Sequence, residues 1–295
     1  METGDATRVS PGYGKTTCAF FQHDTEHVLY SSTHHDPNSQ QLQKEELEIR
    51  ASGRERRYSW DYDPEMELYV QEKSDTPRRL TNVYGYDAEA SYSPDGQWVV
   101  FTSTRDVYGR DLTREEELQL ERDPAYFAEI YIMRADGQMQ TRLTYAPGYD
   151  GGPFFSHGGR FIVWRRFTER GDVEDIWRMT PTGSDQRMIT DFKSMSWAPY
   201  THPSGRYIIF SSNKLGFENF ELFIVDFDGT KEPVRVTYTE GFDGLPVPAP
   251  SGEQISWTST RGTSSSDGGQ IYLADWNHDK AMQVLADAPL RGEEQ

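Results

Sequence analysis

One sequence motif recurs five times along the chain, and internal repetition constrains the fold more than any other feature of a sequence. Each copy is a polar turn followed by a strand-like run that contains an aromatic residue, as in SPDGQWVVFTS at residues 93–103. The aligned aromatic residues are Tyr30, Phe101, Trp164, Phe210 and Trp257. Because the runs are rich in β-branched and aromatic residues and are bounded by turn residues, they predict short antiparallel strands.

Each repeat then continues through a second apolar run and another turn to a short final run such as RRLT, TRLT, RMIT or VRVT. Four strands in about 40–50 residues is the period of a β-propeller blade. The sequence therefore predicts an all-β chain that forms a β-propeller of four-stranded antiparallel blades. We expect a single domain over residues 1–295, with repeats at approximately 11–81, 82–144, 145–190, 191–237 and 238–286.

Two longer segments interrupt the first two repeats between their second and third strands. They are QQLQKEELEIRASGRERRY at residues 40–58 and DLTREEELQLERDPAYF at residues 111–127. Both are rich in Glu, Gln, Leu and Arg, and Thr113 with Glu116 has the spacing of a helix capping box. Two short helical insertions are expected, and the basic cluster RERR at 54–57 is interpreted as a solvated helix end.

The number of blades is left open by the two ends of the repeat array. TRVS at residues 7–10 aligns with TRLT at 141–144 and predicts a fourth strand, whereas MQVL at 282–285 predicts the fourth strand of the last repeat. If TRVS completes the last blade, the ring has five blades. If MQVL completes it, TRVS is surplus, and a six-bladed ancestor whose first blade is mostly missing is expected.

Several of these phrases resemble the repeats of the TolB-like propellers, the PD40 relatives of WD40 blades. The resemblance lies in SPDGQWVVFTSTRD, IYIMRADGQMQTRLT and GYDGGPFF, and it extends along essentially the whole chain. It implies a propeller that binds a protein partner in the cell envelope. It also implies export to the periplasm or beyond. Similar repeats precede peptidase domains in larger enzymes, so the resemblance identifies a fold more strongly than a function.

Charge and composition narrow the classes of partner. The formal net charge of −18 disfavours binding to nucleic acids or to anionic membrane surfaces, and favours cations or basic protein surfaces. No apolar stretch approaches the roughly 18 residues of a membrane span, so no membrane insertion is expected. Cys18 is the only cysteine, which excludes an internal disulfide. We expect a monomer.

Three aspartates occupy the same position in different repeats and are the candidate site residues. Asp87, Asp150 and Asp243 stand in the motifs GYD, GYD and GFD and open the first strand, which in a propeller lines the central channel. Glu89 lies two residues further along the same strand face. Converging carboxylates favour a bound cation such as Ca²⁺. The alternative is that each aspartate caps its own turn.

The leading functional hypothesis is a non-enzymatic scaffold that holds a protein partner at the channel mouth. No nucleophile elbow or complete phosphate-binding loop is present, and no catalytic residue is assigned. Two alternatives stay open: a five-bladed glycoside hydrolase that uses the same carboxylates, and the propeller portion of a larger peptidase. The recurring basic residues Arg105, Lys214 and Arg261 are expected to pair with acidic loop residues such as Asp106.

Overall fold

The computed structural model describes residues 7–53, 62–73, 76–262 and 268–292. Within these residues the chain forms five antiparallel sheets, four of four strands and one of three. In each sheet the strands are paired in chain order, which is the meander of a propeller blade. By its internal contacts the chain divides into two compact units, Met1–Arg142 and Leu143–Gln295.

The first unit contains blades 1 and 2. Blade 1 consists of β1 (Thr16–Phe21), β2 (Val28–Ser32), β3 (Glu67–Gln71) and β4 (Arg78–Arg79). Blade 2 consists of β5 (Asp87–Tyr92), β6 (Trp98–Ser103), β7 (Glu129–Arg134) and β8 (Thr141–Arg142). Alternate side chains of blade 1, among them Leu68, Val70 and Leu80, are buried against Val99 and Phe101 of blade 2. The face of blade 1 that carries Leu68 is therefore covered by the next blade.

The second unit contains blades 3, 4 and 5. Blade 3 consists of β9 (Asp150–Phe155), β10 (Ile162–Phe167), β11 (Glu174–Met179) and β12 (Arg187–Met188). Blade 4 consists of β13 (Ser196–Thr201), β14 (Tyr207–Ser212), β15 (Glu221–Asp226) and β16 (Val234–Arg235). Blade 5 consists of β17 (Asp243–Pro248), β18 (Gln254–Ser259) and β19 (Gln270–Asp275). The same face-to-face packing joins these blades, with Ile176 against Phe210 and Leu222 against Trp257 in two apolar clusters.

The recurring turn motif connects the first two strands of a blade as a hairpin. In SPDG, the Asp95 carboxylate accepts hydrogen bonds from Ser93 Oγ (2.5 Å) and from the backbone N–H of Gln97 (3.0 Å). The backbone N–H of Trp98 donates to Ser93 Oγ (2.9 Å). Gly96 has a φ of +66°, a conformation that other residues adopt only at a cost. These contacts explain why the turn recurs with the same residue types.

A β-bulge interrupts the first strand of every blade at the same repeat position. The pairing register shifts at this point in all five sheets. The residue two positions after the start of each first strand has a left-handed φ of 48–59°, and these residues are Cys18, Glu89, Gly152, Ala198 and Leu245. Only one of the five is glycine, so the bulge is imposed by the blade and not by local preference.

The two predicted helical insertions are confirmed. They are α1 (Ser39–Ala51) in blade 1 and α3 (Arg114–Arg122) in blade 2, with a short helix α2 (Arg105–Tyr108) before α3. The capping box at the start of α3 has both of its bonds: Thr113 Oγ1 accepts from the Glu116 N–H, and Glu116 accepts from the Thr113 N–H. The cluster RERR at 54–57 lies outside the described residues.

The prediction of a fourth strand at MQVL in the last repeat is wrong. These residues belong to helix α4 (His278–Asp287). The Asn277 side chain accepts a hydrogen bond from the Lys280 N–H (2.9 Å) and caps the helix. Ala281 and Leu285, four residues apart, are buried in the apolar cluster of blades 4 and 5. The N-cap and the helical spacing of the apolar residues thus determine the structure of this segment, although the repeat pattern predicts a strand.

The prediction that TRVS forms a strand is also wrong, since residues 7–10 take no regular structure. The predicted fold class is confirmed as a β-propeller with five blades, although the last blade has three strands within the described residues. A six-bladed ancestor stays a prediction. In the part of the chain that the structure describes, no helix is long and apolar enough to cross a membrane.

Candidate functional site

Each of the three predicted aspartates is buried in an ion pair with an arginine of its own blade. Asp87 opens β5, and its carboxylate accepts hydrogen bonds from Ser103 Oγ (2.5 Å) and Arg105 Nε (3.3 Å), with Arg105 Nη2 on the second oxygen. Burial raises the pKa of the Asp87 carboxyl, while the Arg105 charge and these hydrogen bonds oppose the rise. The guanidinium also lies 5.1 Å from the ring centroid of Phe101.

Asp150 in blade 3 has the most complete set of partners. Arg166 donates through Nε (2.6 Å) and Nη2 (2.7 Å) to the two carboxylate oxygens, and Trp164 Nε1 donates to one of them (3.1 Å). Burial raises the pKa of this carboxyl, and the Arg166 contact opposes the rise. In blade 5, Asp243 pairs with Arg261 Nη2 and accepts from Trp257 Nε1 (3.3 Å). We call these three contacts the strand-end ion pairs.

The expectation that Arg105 and Arg261 pair with loop residues such as Asp106 is therefore wrong. Asp106 pairs instead with Arg110 (3.0 Å) and Arg142 (2.8 Å). The reason lies in the strand register, because the first residue of β5 faces the last residue of β6, Ser103. An arginine two residues beyond that point folds back onto the aspartate.

The glycine of each GYD or GFD motif permits this close approach. A Cβ on Gly85 would lie 2.6 Å from Arg105 Cα, and Gly85 has a φ of +138°. A Cβ on Gly148 would lie 2.7 Å from the Phe167 carbonyl oxygen, where φ is +96°. The motif thus brings the start of the first strand against the end of the second.

The four predicted residues are divided between the two compact units of the chain. Asp87 and Glu89 belong to the first unit, and Asp150 and Asp243 to the second. Glu89 has a different environment, in which its carboxylate accepts from Thr102 Oγ1 (3.2 Å). Among the described residues no group of three or more His, Cys, Asp or Glu side chains is arranged to hold a metal ion. Calcium binding stays a prediction, although the uncompensated charge that motivated it is absent at the three aspartates.

A second series of buried acids was not predicted. The acid lies in the first two residues of the third strand, and its partner is an arginine of the fourth strand or the threonine that follows this strand. Arg79 pairs with Glu67 and Arg142 with Glu129, each at 2.6 Å, and Thr190 Oγ1 donates to Asp175 (2.9 Å). The signal is present in the sequence, since the acid is the first residue of the runs ELYV, EIYI and DIWR, and the arginine or threonine lies in the runs RRLT, TRLT and RMIT. Both roles are structural.

Blade 4 lacks the strand-end ion pair, and a groove opens there. Ser196 takes the aspartate position and Lys214 the arginine position, with Lys214 Nζ 3.9 Å from the ring centroid of Phe192. The groove has a volume of about 350 Å³. It is lined by Asp172, Lys193, Ser194, Met195, Asn213, Lys214, Gly216 and Phe217, and we call it the blade 3–4 groove.

Asn213 fixes the two loops that form the blade 3–4 groove. Its Oδ1 accepts from the Met195 N–H (2.9 Å), and its Nδ2 donates to the Phe217 carbonyl oxygen (3.3 Å). At the rim, Phe217 is 77% exposed. The Lys193 ammonium at the same rim pairs with Asp191 and stays largely exposed. A fixed loop that holds a large apolar side chain in water is typical of a binding surface.

The chain was compared with protein families, curated proteins and solved structures. No known protein-family profile matches the chain. An uncharacterised protein of Agrobacterium fabrum (strain C58) is 31% identical over 138 residues, which are 46% of this chain and 39% of that protein. The chain therefore spans about two fifths of the length of the curated relative that it matches.

Among solved structures, a protein assigned as TolB from Agrobacterium tumefaciens superposes with a TM-score of 0.62 at 17% identity, over 89% of this chain and 77% of that one. TolB from Acinetobacter baumannii gives 0.59 at 17% identity, over 89% and 52%. A prolyl endopeptidase gives 0.53 at 12% identity, over 89% and 34%. At these identities the likeness is one of fold. The class that the fold defines is the β-propeller. Within that class, the chain has the fold of the TolB-like propellers.

Proposed function

We propose that the protein is a non-enzymatic scaffold that binds a protein partner at the blade 3–4 groove. The observation that carries the proposal is the exposed Phe217 at the rim of a groove whose loops are fixed by Asn213. Rigid loops bind without the cost of ordering, and exposed aromatic residues are the usual anchors of protein interfaces. The likeness to TolB structures supports a propeller used as a binding scaffold.

The chemistry of the groove defines the segment that fits it. Phe217 offers an apolar surface, and the exposed ammonium group of Lys193 stands beside it. A partner segment with an aliphatic or aromatic side chain next to a carboxylate would match both. This differs from the channel-mouth surface expected from the sequence, because Asp87, Asp150 and Asp243 are buried and already paired with arginines.

The cellular setting that we propose is the bacterial cell envelope, with the protein exported to the periplasm and acting as a monomer. The support for this setting is the resemblance of the repeats and of the fold to TolB. A calcium ion bound at the carboxylates remains part of the proposal as a testable addition. It would be detected by isothermal titration of calcium into chelator-treated protein.

The test of the partner surface is affinity capture with matched variants. Immobilised wild-type protein should retain a partner from an envelope extract, and Phe217→Ser should release it without changing the circular dichroism spectrum or the melting temperature. Phe21→Ser is the control, because Phe21 is also a largely exposed phenylalanine but lies on β1. If every retained protein survives Phe217→Ser, the blade 3–4 groove is not the binding surface.

A peptidase propeller is the second candidate, and the prolyl endopeptidase likeness favours it. In that case the chain would be one portion of a longer enzyme whose catalytic domain lies elsewhere in the polypeptide. An in-frame peptidase domain in the gene would decide for it. The glycoside hydrolase alternative loses its support at the three aspartates, since a carboxylate held by arginine out of solvent cannot reach a sugar.

A further inference from the structure

Blade 5 departs from the other blades at its outer edge. In blades 1 to 4 a short fourth strand pairs with the third, whereas no strand of the described residues pairs with the outer edge of β19. The other blades show which two hydrogen bonds a fourth strand would make with the edge of β19. In blade 1 the Leu68 N–H donates to Thr81 Oγ1 (2.9 Å), and the Leu68 carbonyl accepts from the Leu80 N–H (2.8 Å). The residue of β19 in the position of Leu68 is Ile271.

The same blade leaves an apolar face uncovered. Ile271 is 83% and Leu273 is 56% exposed, whereas their counterparts Leu68 and Val70 in blade 1 are buried. Leu245 and Val247 of β17 extend this face and are also exposed. An edge strand with free backbone groups and an apolar face is a template for a further strand. We call this combination the β19 edge.

The fourth strands of the other blades define what the edge accepts. Their sequences with the two following residues are RRLT, TRLT, RMIT and VRVT. The third residue is aliphatic, and in blade 1 it is Leu80, buried beside Leu68. The fourth residue is always threonine, whose hydroxyl reaches the backbone and the acid of the third strand. A segment that completes blade 5 therefore needs an aliphatic residue followed by a hydroxyl residue.

The charges of β19 determine where a basic residue belongs. In blade 1, Arg78 pairs across the strands with Val70 and forms an ion pair with Glu72 (2.9 Å). The corresponding residues of blade 5 are Leu273 and Asp275. Gln270, which is neutral, replaces the acid that binds the second-position arginine elsewhere, as Glu67 binds Arg79. The edge thus favours a basic residue at the first position of the segment, opposite Leu273, and does not require one at the second.

We propose that the β19 edge binds an extended segment of a partner protein as the fourth strand of blade 5, with the pattern basic–any–aliphatic–hydroxyl. The hydroxyl residue lies opposite Gln270, the aliphatic residue opposite Ile271, and the basic residue reaches Asp275. The net charge of −18 further favours a basic segment. This is strand addition to an open sheet edge, in which the backbone provides affinity and the side chains provide specificity. The site is separate from the blade 3–4 groove and does not depend on it.

The probe is a fluorescent peptide copied from residues 76–83 of this chain, TPRRLTNV. Anisotropy should rise to saturation with wild-type protein. A peptide with an N-methyl group on its leucine lacks the donor for the Ile271 carbonyl and should bind at least about tenfold more weakly, a change equivalent to about 1.4 kcal/mol. The N-methyl peptide leaves the protein unchanged, so the comparison holds even if a protein variant fails to fold.

Two protein variants test the edge and its charge. Ile271→Pro removes the outward N–H without touching the pairing with β18, and it should abolish binding. Asp275→Asn should weaken binding and flatten its dependence on salt, whereas Asp287→Asn, on α4, should change neither. Equal affinity for the two peptides, or no saturation at millimolar peptide, overturns the proposal.

Two other occupants would be recognised in the same experiments. If the peptide binds only after deletion of residues 1–10, the edge belongs to the chain's own TRVS segment, and the partner proposal fails. If the protein dimerises in sedimentation and Ile271→Pro abolishes the dimer, the occupant is a second copy, and the proposal fails in that direction. Loss of partner capture through Phe217→Ser bears on the proposed function alone.

Discussion

Removal of the Asp150 carboxylate should be among the most destabilising single changes in the chain. The side chain has no exposed surface, and Arg166 beside it is 14% exposed. Asp150→Asn would leave the guanidinium opposite a neutral amide, with two charged hydrogen bonds weakened and one from Trp164 disturbed. Breaking one side of a buried ion pair costs about 3–5 kcal/mol.

The reference for this magnitude is an exposed ion pair of similar length. Arg114 and Glu117 on α3 lie 2.9 Å apart with side chains 75% and 48% exposed. Glu117→Gln should cost at most about 1 kcal/mol, because solvent screens the pair. Urea unfolding followed by tryptophan fluorescence would measure both, and Trp164 reports on the altered site directly.

A double-mutant cycle separates the ion pair from packing. Arg166→Met retains an apolar side chain over the Trp177 ring, whose centroid lies 4.6 Å from the guanidinium. The double variant Asp150→Asn with Arg166→Met should be clearly more stable than the sum of the single losses predicts, with a coupling of at least about 2 kcal/mol. Additive losses would refute the assignment. A loss that appears only in calcium and vanishes in chelator would show that Asp150 binds a cation instead.

Three further outcomes are expected. Burial raises the pKa of Glu67 to about 7, so its proton is held more tightly in the folded state than in the unfolded state. The contribution of this residue to stability should therefore fall as the pH rises from about 4.5 through 7. Relative to Glu67→Gln, the wild type should lose up to about 3 kcal/mol of stability over that pH window in urea titrations, and parallel curves would contradict this. Gly85→Ala should cost about 2–4 kcal/mol, because its φ of +138° is unfavourable for alanine and the Cβ meets Arg105. Gly171→Ala, with a left-handed φ of +69° and open space around it, should cost only about 1 kcal/mol, and equal losses would contradict the clash at Gly85. Thr113→Ala should lower stability by about 1 kcal/mol through the lost cap, and an unchanged melting curve would contradict a role for it.

The sequence was sufficient for the blades because their signals are local. Turn residues such as Asp95 and Gly96 bond within four residues, and the capping box of Thr113 and Glu116 spans three. Signals of this kind can be recognised without knowing which strands are neighbours. The failure at MQVL has the opposite origin. The repeat pattern predicts a strand there, whereas the segment's own signals, an N-cap at Asn277 and apolar residues four apart, favour a helix.

The sequence predicts only part of the site, because the repeats show which positions recur but not which of them are in contact. The repeat positions predict the three aspartates and two of their arginine partners, Arg105 and Arg261, but not that these positions are in contact. The two positions occur together in blades 2 and 5, as Asp87 with Arg105 and Asp243 with Arg261. In blade 3 the partner of Asp150 is Arg166, two residues before the recurring arginine position. Such coincidence between repeats is evidence of contact that one sequence can supply. The exposed face of blade 5 could not be predicted in this way, since its exposure depends on which residues pack against the blade.

The missing ion pair of blade 4 connects the fold to the proposed binding surface. In blades 2 and 5 the aspartate holds the loop after the second strand close to the start of the first, and in blade 3 it pairs with Arg166 near the end of the second strand itself. In blade 4 the serine at position 196 cannot form this ion pair, and Lys214 turns to the Phe192 ring and lines the groove instead. Asn213 then holds the loop by two hydrogen bonds to neutral groups. The loop stays fixed while its charge and its apolar tip face solvent, so the repeat position that is structural in three blades is available for binding in the fourth.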